Sequence, residues 1–392
     1  MINEQALALG THRSVIRDLF DYGNMRANLV GRENVFDFSI GNPSEPVPEA
    51  VSRAFVEILQ EMDSLDVHGY TSAPGLPETR QAIADDLNDR YNAGVEADDL
   101  FISTGASGSL AAVIKALATP NAEFLVIAPY FPEYKPFIEG NGGIIRVVPP
   151  DIPNFQISLS EVEKQLSPNT AAVLLNSPCN PSGTVCTEET IRALATLLQR
   201  KSKEYGHPIY IISDDPYREL VYDGVVAPFV PLYYPHTVVC YSYSKSLSLA
   251  GERIGYIYVP KAAHRSRELY AAIAGASRTL GHICAPSLLQ KVIARCAHLR
   301  PNLAAYDRNR KALYEALTGM GYEMARPDGA FYMFVKAPGG DAQAFSKKAM
   351  EKDILLVPGD SFGCPGYLRI CYCVSYDMIQ RSLPAFKALI EK

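Results

Sequence analysis

The sequence predicts an α/β protein: a large domain with a mainly parallel sheet flanked by helices, joined to a smaller α+β domain. Three observations lead there. Through the middle of the chain, short apolar runs alternate with helical patterns, as parallel strands with crossover helices require. The runs are mostly β-branched and apolar without alternation, which suits strands buried on both faces. In the last third this alternation stops, and longer helical patterns surround two isolated strand-like pieces.

Taken in order, the first strand is Phe101-Ile102-Ser103, followed by the turn Thr104-Gly105-Ala106-Ser107-Gly108 and the helical LAAVIKALA. Residues 124–128 form the next run, ending at Pro129-Tyr130-Phe131-Pro132. Residues 171–175 lead into NSPCNPSG and a helix over 188–200. Residues 209–212 lead to Ser213-Asp214-Asp215-Pro216-Tyr217, and 238–241 to Ser242-Tyr243-Ser244-Lys245. Further on, a helix over 304–317 closes at Gly319 and Gly321. FYMFVKAP and YLRICYCV then read as strands around a helix over 342–352, with a last helix at the terminus. GNPSEPVPE is proline-rich turn material suited to a crossing between domains. Residues 43–290 are therefore assigned to the large domain, and 1–42 with 291–392 to the small one. No internal repeat or low-complexity segment interrupts this plan.

Composition narrows the class of function. A chain of 392 residues exceeds one small core. Apolar residues at 47% and charged residues at 20% give the balance of a globular protein. A net charge of −6 offers no electrostatic footing for nucleic acid or an anionic membrane. The eight cysteines include no Cys-x-x-Cys, so neither a zinc ribbon nor a thioredoxin-type motif is expected, and no metal is assigned. Cys371 and Cys373 flank Tyr372, which puts both on one face of a strand as packing residues. The N-terminus lacks the pattern of a signal peptide, and no stretch has the apolar length of a membrane span. A cytoplasmic protein with reduced thiols is expected.

In open α/β sheets ligands bind beyond the carboxyl ends of the strands. Each polar cluster named above stands at such an end, which gathers them into one candidate site. Within it, Lys245 follows a buried run, is flanked by small hydroxyl residues and has Arg253 eight positions on. A lysine that attacks a carbonyl needs a desolvated, electropositive pocket that keeps its amine partly neutral. Hydroxyls and an arginine beside it can hold a phosphate. On its own the segment reads equally well as a serine-rich loop with a chance lysine. Gly105-Ala106-Ser107-Gly108 can present backbone N–H groups and the positive end of a helix to an anion. Arg369 in an apolar strand is costly unless it meets an anion, and its planar fork suits a carboxylate.

Together with Asn180-Pro181-Ser182-Gly183 and Asp214-Asp215-Pro216-Tyr217, this stretch resembles the class I/II aminotransferases, enzymes of the fold-type I pyridoxal-phosphate group that includes aspartate aminotransferase. The resemblance runs from Gly41 to Arg369 in the family's order and spacing. It implies pyridoxal 5′-phosphate as cofactor, held by Lys245 as a Schiff base, with Lys245 also moving the proton between the substrate Cα and the cofactor C4′. It implies Asp214 as partner of the pyridine nitrogen, keeping the ring an electron acceptor. Asp215 better suits a structural acid, because the family's ring partner lies three residues before the tyrosine. Tyr217 and Asn180 are implied as donors to the phenolic oxygen, favouring its ionised form. The backbone of Ala106 and Ser107, with Ser242, Ser244 and Arg253, matches the phosphate cup. Phe131 matches the aromatic that stacks on the ring, with Tyr130 as its rival. Arg369, Gly41 and Asn180 match the grip on the substrate α-carboxylate. Tyr70, in HGYTSAPGLPETR, resembles the tyrosine that reaches the phosphate of a neighbouring subunit, which implies a homodimer with shared sites; otherwise it is a loop aromatic.

Two departures stand out. Pro216 occupies a place often held by an apolar or small residue. Around Arg278, Thr279 and His282 nothing matches the second arginine of dicarboxylate-specific enzymes. The activity implied is transfer of an amino group between an L-amino acid, of aspartate or aromatic type, and a 2-oxo acid by a ping-pong scheme. A carbon–sulfur β-lyase sharing the same site is the alternative. A ligand sensor on this fold lacks chain length for a DNA-binding module, and a nicotinamide dehydrogenase lacks the early G-x-G-x-x-G.

Overall fold

The computed structural model describes residues 1–11 and 14–391. Its strands are β1 (Phe36–Asp37), β2 (Leu100–Ser103), β3 (Glu123–Ile127), β4 (Ile144–Val148), β5 (Thr170–Asn176), β6 (Tyr210–Asp214), β7 (Thr237–Ser242), β8 (Gly255–Tyr258), β9 (Tyr332–Lys336), β10 (Ile354–Leu355), β11 (Val357–Pro358) and β12 (Tyr367–Cys371). Seven of them form one sheet in the order β2-β8-β7-β6-β5-β3-β4. β8 runs antiparallel to β2 and β7, and the other neighbours pair in parallel. β6 and β7 are buried at every position. That explains why their sequences carry no alternation: both faces are covered, by helices such as Gly105–Leu117 and Glu188–Tyr205.

Register sets the site. Asn176 pairs with Asp214, and Ser242 with Gly255, which in turn pairs with Ser103. The last residues of β2, β5, β6 and β7 thus come out on one edge. The chain leaves β5 and β3 in different directions along the sheet, the kind of switch point at which a crevice opens.

A second sheet, β11-β12-β9, is antiparallel, and β1 pairs in parallel with β10. Helices Ala304–Met320, Ala342–Met350 and Tyr376–Ile390 pack on these strands through Leu313, Leu317, Ala349, Ile379 and Phe386. The N-terminal helix Val15–Val30 joins them by burying Leu19 against Phe334 and Val357. One apolar cluster runs from this part to the large sheet, with Tyr217, Leu220 and Tyr222 beside Phe331 and Tyr372.

Helix ends differ modestly from expectation, for local reasons. The helix from Glu188 continues to Tyr205 and stops at Gly206, whose φ of 78° is left-handed. Its last turns, KSKEY, are polar, so apolar spacing gave no sign of them. The helix from Ala304 passes Gly319 and ends at Gly321, φ 99°. Residue 290 falls within the helix Ser287–Cys296, where the Gln290 side chain accepts from Leu76 N at 2.7 Å and its carbonyl accepts from Thr79 Oγ1 at 2.8 Å.

Candidate active site

A cavity of about 320 Å³ opens at the carboxyl edge of the large sheet. Lys245, Asp214, Tyr217, Asn180, Phe131 and Arg369 line it, and so do Gly41, Ala106, Ser107, Ser242, Ser244 and Arg253. Of the residues singled out from the sequence, Tyr70 stays outside; it is 99% exposed, on the loop after helix Ser64–His68.

Lys245 is aimed by the end of β7. There Ser242 Oγ accepts from Ser244 N at 3.1 Å and caps the short helix Tyr243–Ser246. The Lys245 ammonium donates to Gly41 O at 2.7 Å. Burial lowers the lysine's proton affinity, and the nearby Arg369 and Arg253 guanidinium groups push the same way.

Beside Lys245 lies a cup of donors. Ser242 Oγ and Ser244 Oγ stand 2.7 Å apart, and Arg253 Nη1 reaches Ser244 Oγ at 3.5 Å and Ala250 O at 2.9 Å. Arg253 holds a left-handed backbone, φ 55°, which turns its side chain towards the start of helix Gly105–Leu117. Gly105, φ 82°, holds a left-handed backbone that favours glycine, and a Cβ there would sit 2.9 Å from Arg253 Nη2, pressing on that guanidinium. The first turn of that helix leaves N–H groups unused within the helix, at Ala106 and Ser107 on the cavity wall.

Asp214, 4% exposed, ends β6. Its Oδ2 accepts from the Tyr134 hydroxyl at 2.6 Å, while its Oδ1 is buried without a partner among the described residues. Burial pushes its carboxyl up to about 7, with the neighbouring Asp215 adding to the shift. Asp215 itself faces away from this arrangement: Ser213 Oγ donates to it at 2.6 Å and Arg218 lies 3.7 Å off. Asn176 ties the strand ends together, donating to Asp214 O at 2.8 Å and accepting from Asn180 N at 2.7 Å.

On the opposite wall Arg369, 2% exposed, donates from Nη1 to Asn180 Oδ1 at 3.1 Å and from Nη2 to Ser39 O. Its Nε has no partner among the described residues. Its guanidinium lies 4.9 Å from the centre of the Tyr332 ring and 5.1 Å from that of Phe362. The Tyr332 hydroxyl is 2.8 Å from that of Tyr217, and a Cβ on Gly41 would run into it. Phe131 lines the cavity, whereas Tyr130 turns to Gly363.

Several lining residues escaped the sequence reading: Tyr332, Asn176, Ile16, Ile40, Leu110 and Ala250. Tyr332 lay in the strand-like FYMFVKAP with no role assigned to it, although a buried tyrosine there needs a hydroxyl partner. Ile16 arrives from a helix distant in sequence, for which no local signal exists. Arg278 is exposed and does not line the cavity, and His282 contacts Thr104 Oγ1 at 3.3 Å.

The profile of aminotransferases of class I and II matches residues 33–386. The chain belongs to that family. A solved amino transferase from Eubacterium rectale is 52% identical, with a TM-score of 0.97 over 99% of this chain and 98% of that one. An aspartate aminotransferase of Thermotoga maritima is 30% identical, with 90% of each chain covered. A probable aspartate/prephenate aminotransferase of Thermus aquaticus is 28% identical over 94% of this chain and 95% of its own.

The chain is thus a pyridoxal 5′-phosphate-dependent aminotransferase. The relatives' chemistry does not favour the carbon–sulfur lyase alternative. The residues present fit the cofactor on their own terms. A buried carboxylate oxygen without a partner among the described residues suits a donor such as a protonated ring nitrogen, and a cup of hydroxyls, helix N–H groups and an arginine suits a phosphate. Among the described residues no helix is long and apolar enough to cross a membrane, and no cluster of His, Cys, Asp and Glu suits a metal.

Proposed function

We propose that this aminotransferase moves the amino group of an L-amino acid of aspartate or aromatic type onto a 2-oxo acid, with Lys245 as covalent anchor and proton carrier. The observation that carries this reading is the convergence on one cavity of Lys245, the open oxygen of Asp214 and the Arg369 fork, each from a different strand end or strand.

Bound there, pyridoxal phosphate supplies a ring that accepts the electrons left when the substrate Cα loses its proton. The protein does the rest. Arg369 would grip the α-carboxylate, with Asn180 holding one side of its fork and Gly41 on the cavity wall beside it. Asp214, with its buried Oδ1 free of a partner among the described residues, would hold the ring nitrogen and favour its protonated form. Tyr217 and Asn180 would donate to the phenolic oxygen, and Phe131 would stack on the ring. Ser242, Ser244, Arg253 and the amides of Ala106 and Ser107 hold the phosphate. Lys245 Nζ would take up and return the proton of the substrate Cα; its lowered proton affinity supports that work, since only the free amine can accept. Tetherings on both sides of Lys245 fix substrate and cofactor within reach of one amine, which removes much of the entropic barrier.

The proposal extends to assembly. A homodimer would bring Tyr70, here fully exposed, to the partner's phosphate cup; its exposure with that of Leu65 supports an interface. Residues 43–290 would form one unit and 1–42 with 291–392 the other, closing over the substrate. A cytoplasmic location completes the reading.

The test is the visible spectrum of the protein purified with pyridoxal phosphate, before and after a panel of amino acids. An imine band that an amino acid bleaches and 2-oxoglutarate restores is expected. Lys245→Ala should lose the covalent chromophore; if it kept it, the assignment of Lys245 would be wrong.

A further inference from the structure

We propose that Tyr134 is a positioning residue for the reaction: its hydroxyl holds the Asp214 carboxylate so that Oδ1 is presented to the ring nitrogen of the cofactor. This rests on the reading that Asp214 is the partner of that nitrogen.

Tyr134 begins the short helix Tyr134–Glu139 and is 1% exposed. Its ring stands edge-on to Phe131, with centroids 5.7 Å apart and planes at 87°, and packs in the cluster that contains Phe124, Val126 and Leu174. That packing fixes the ring, and the ring fixes the hydroxyl, 2.6 Å from Asp214 Oδ2. A carboxylate with one oxygen clamped cannot rotate about its last bond without breaking that hydrogen bond. Its other oxygen, Oδ1, therefore stays where the cavity is, without a partner among the described residues.

The surroundings make this donor matter. The charged and titratable groups around Asp214 are its neighbour Asp215, Cys240 on β7, and Cys179 and Tyr217 from the loops after β5 and β6. Asp215 repels a charge on Asp214, burial opposes that charge, and neither cysteine carries a positive charge. Among the described residues the Tyr134 hydroxyl is the side-chain donor that Asp214 has. A donor to the ionised form lowers the pKa of an acid, so removing it makes Asp214 harder to ionise. Phenylalanine at 134 keeps the ring and deletes only that donor.

The test compares holoenzymes of wild type, Tyr134→Phe, Asp214→Asn and the double variant, by kcat and KM over pH and by the rate of pyridoxal phosphate release. In Y134F, kcat is expected to fall about tenfold, the loss of one hydrogen bond to a charged group, with the donor KM within about twofold. Cofactor release should quicken, and the acid limb of the pH profile should move to higher pH. In the D214N background the Tyr134→Phe change should alter none of these, because its route of action is gone. The proposal is overturned if Y134F matches wild type in all three readouts, or if its effect is undiminished on D214N. Tyr134→His keeps a ring and a donor and should retain more kcat than Y134F; the reverse order also overturns it. A D214N enzyme that matches wild type would instead refute the role of Asp214 itself.

Discussion

Arg369 shows what a single side chain contributes when its surroundings are complete. It is buried, two of its nitrogens are already engaged by Asn180 and Ser39, and two aromatic rings flank its plane. Lysine at this position would keep the charge and lose both the planar fork and the stacking. Arg369→Lys is therefore expected to raise KM for the amino donor by about 10- to 100-fold, the worth of one or two charged hydrogen bonds. The spectrum of the bound cofactor should change little; steady-state kinetics and absorbance read the two effects separately. A KM within twofold of wild type would mean that the carboxylate binds elsewhere. Arg369 was visible in the sequence because a charge inside an apolar run is expensive and demands a reason, whereas Lys245 and Asp214, polar residues just after such runs, were singled out by the resemblance to the aminotransferase family. Tyr134 and Tyr332 were not, because an aromatic in the same setting needs no reason beyond packing. Only the partner of each hydroxyl, Asp214 for one and Tyr217 for the other, separates them from ordinary core residues.

Elements rather than single residues decide where those side chains meet. The carboxyl ends of β5, β6 and β7 deliver Asn176, Asp214 and Ser242 to one edge, and the reversed strand β8 wedges between β2 and β7 beside them. Gly255 opens β8, and a Cβ there would run into Tyr241 O and lie 3.0 Å from Gly105 Cα. These are backbone atoms that cannot turn aside. Gly255→Ala should therefore separate β8 from the helix start that bears the phosphate donors, destabilising the fold by about 1–3 kcal/mol. Cofactor affinity should fall along with the melting temperature; calorimetry and a pyridoxal phosphate titration check the pair. A lower melting temperature with unchanged affinity would show the strain absorbed away from the cup. The alternation of apolar runs and helices made the large sheet legible. The reversal of β8 was not, since a buried strand reads the same in either direction. The small sheet showed only as separate strand-like pieces, because β11, which joins it at one edge, is two residues long and carries no periodicity.

At the scale of the whole molecule the open question is Tyr70. Within one chain it touches nothing of the cavity, and a tyrosine left 99% exposed beside an 83% exposed Leu65 leaves apolar surface in water. If a second copy covers this loop and takes Tyr70 into its phosphate cup, each site is built from two chains and two defects can complement. Lys245→Ala abolishes the amine of its own chain, whereas Tyr70→Ala damages the site of the partner. A hybrid dimer of the two variants then holds one site with both residues intact and one with neither. Random mixing after reversible dissociation makes half the dimers hybrid, so about a quarter of wild-type activity is expected from two preparations that are each far less active. Sedimentation confirms that exchange has occurred. If exchange is complete and activity stays at the average of the two parents, Tyr70 serves its own chain or none, and the sites are not shared. Recovery towards a quarter ties cofactor binding to assembly, so that the holoenzyme should also resist dilution better than the apoprotein, each bound phosphate holding two subunits together.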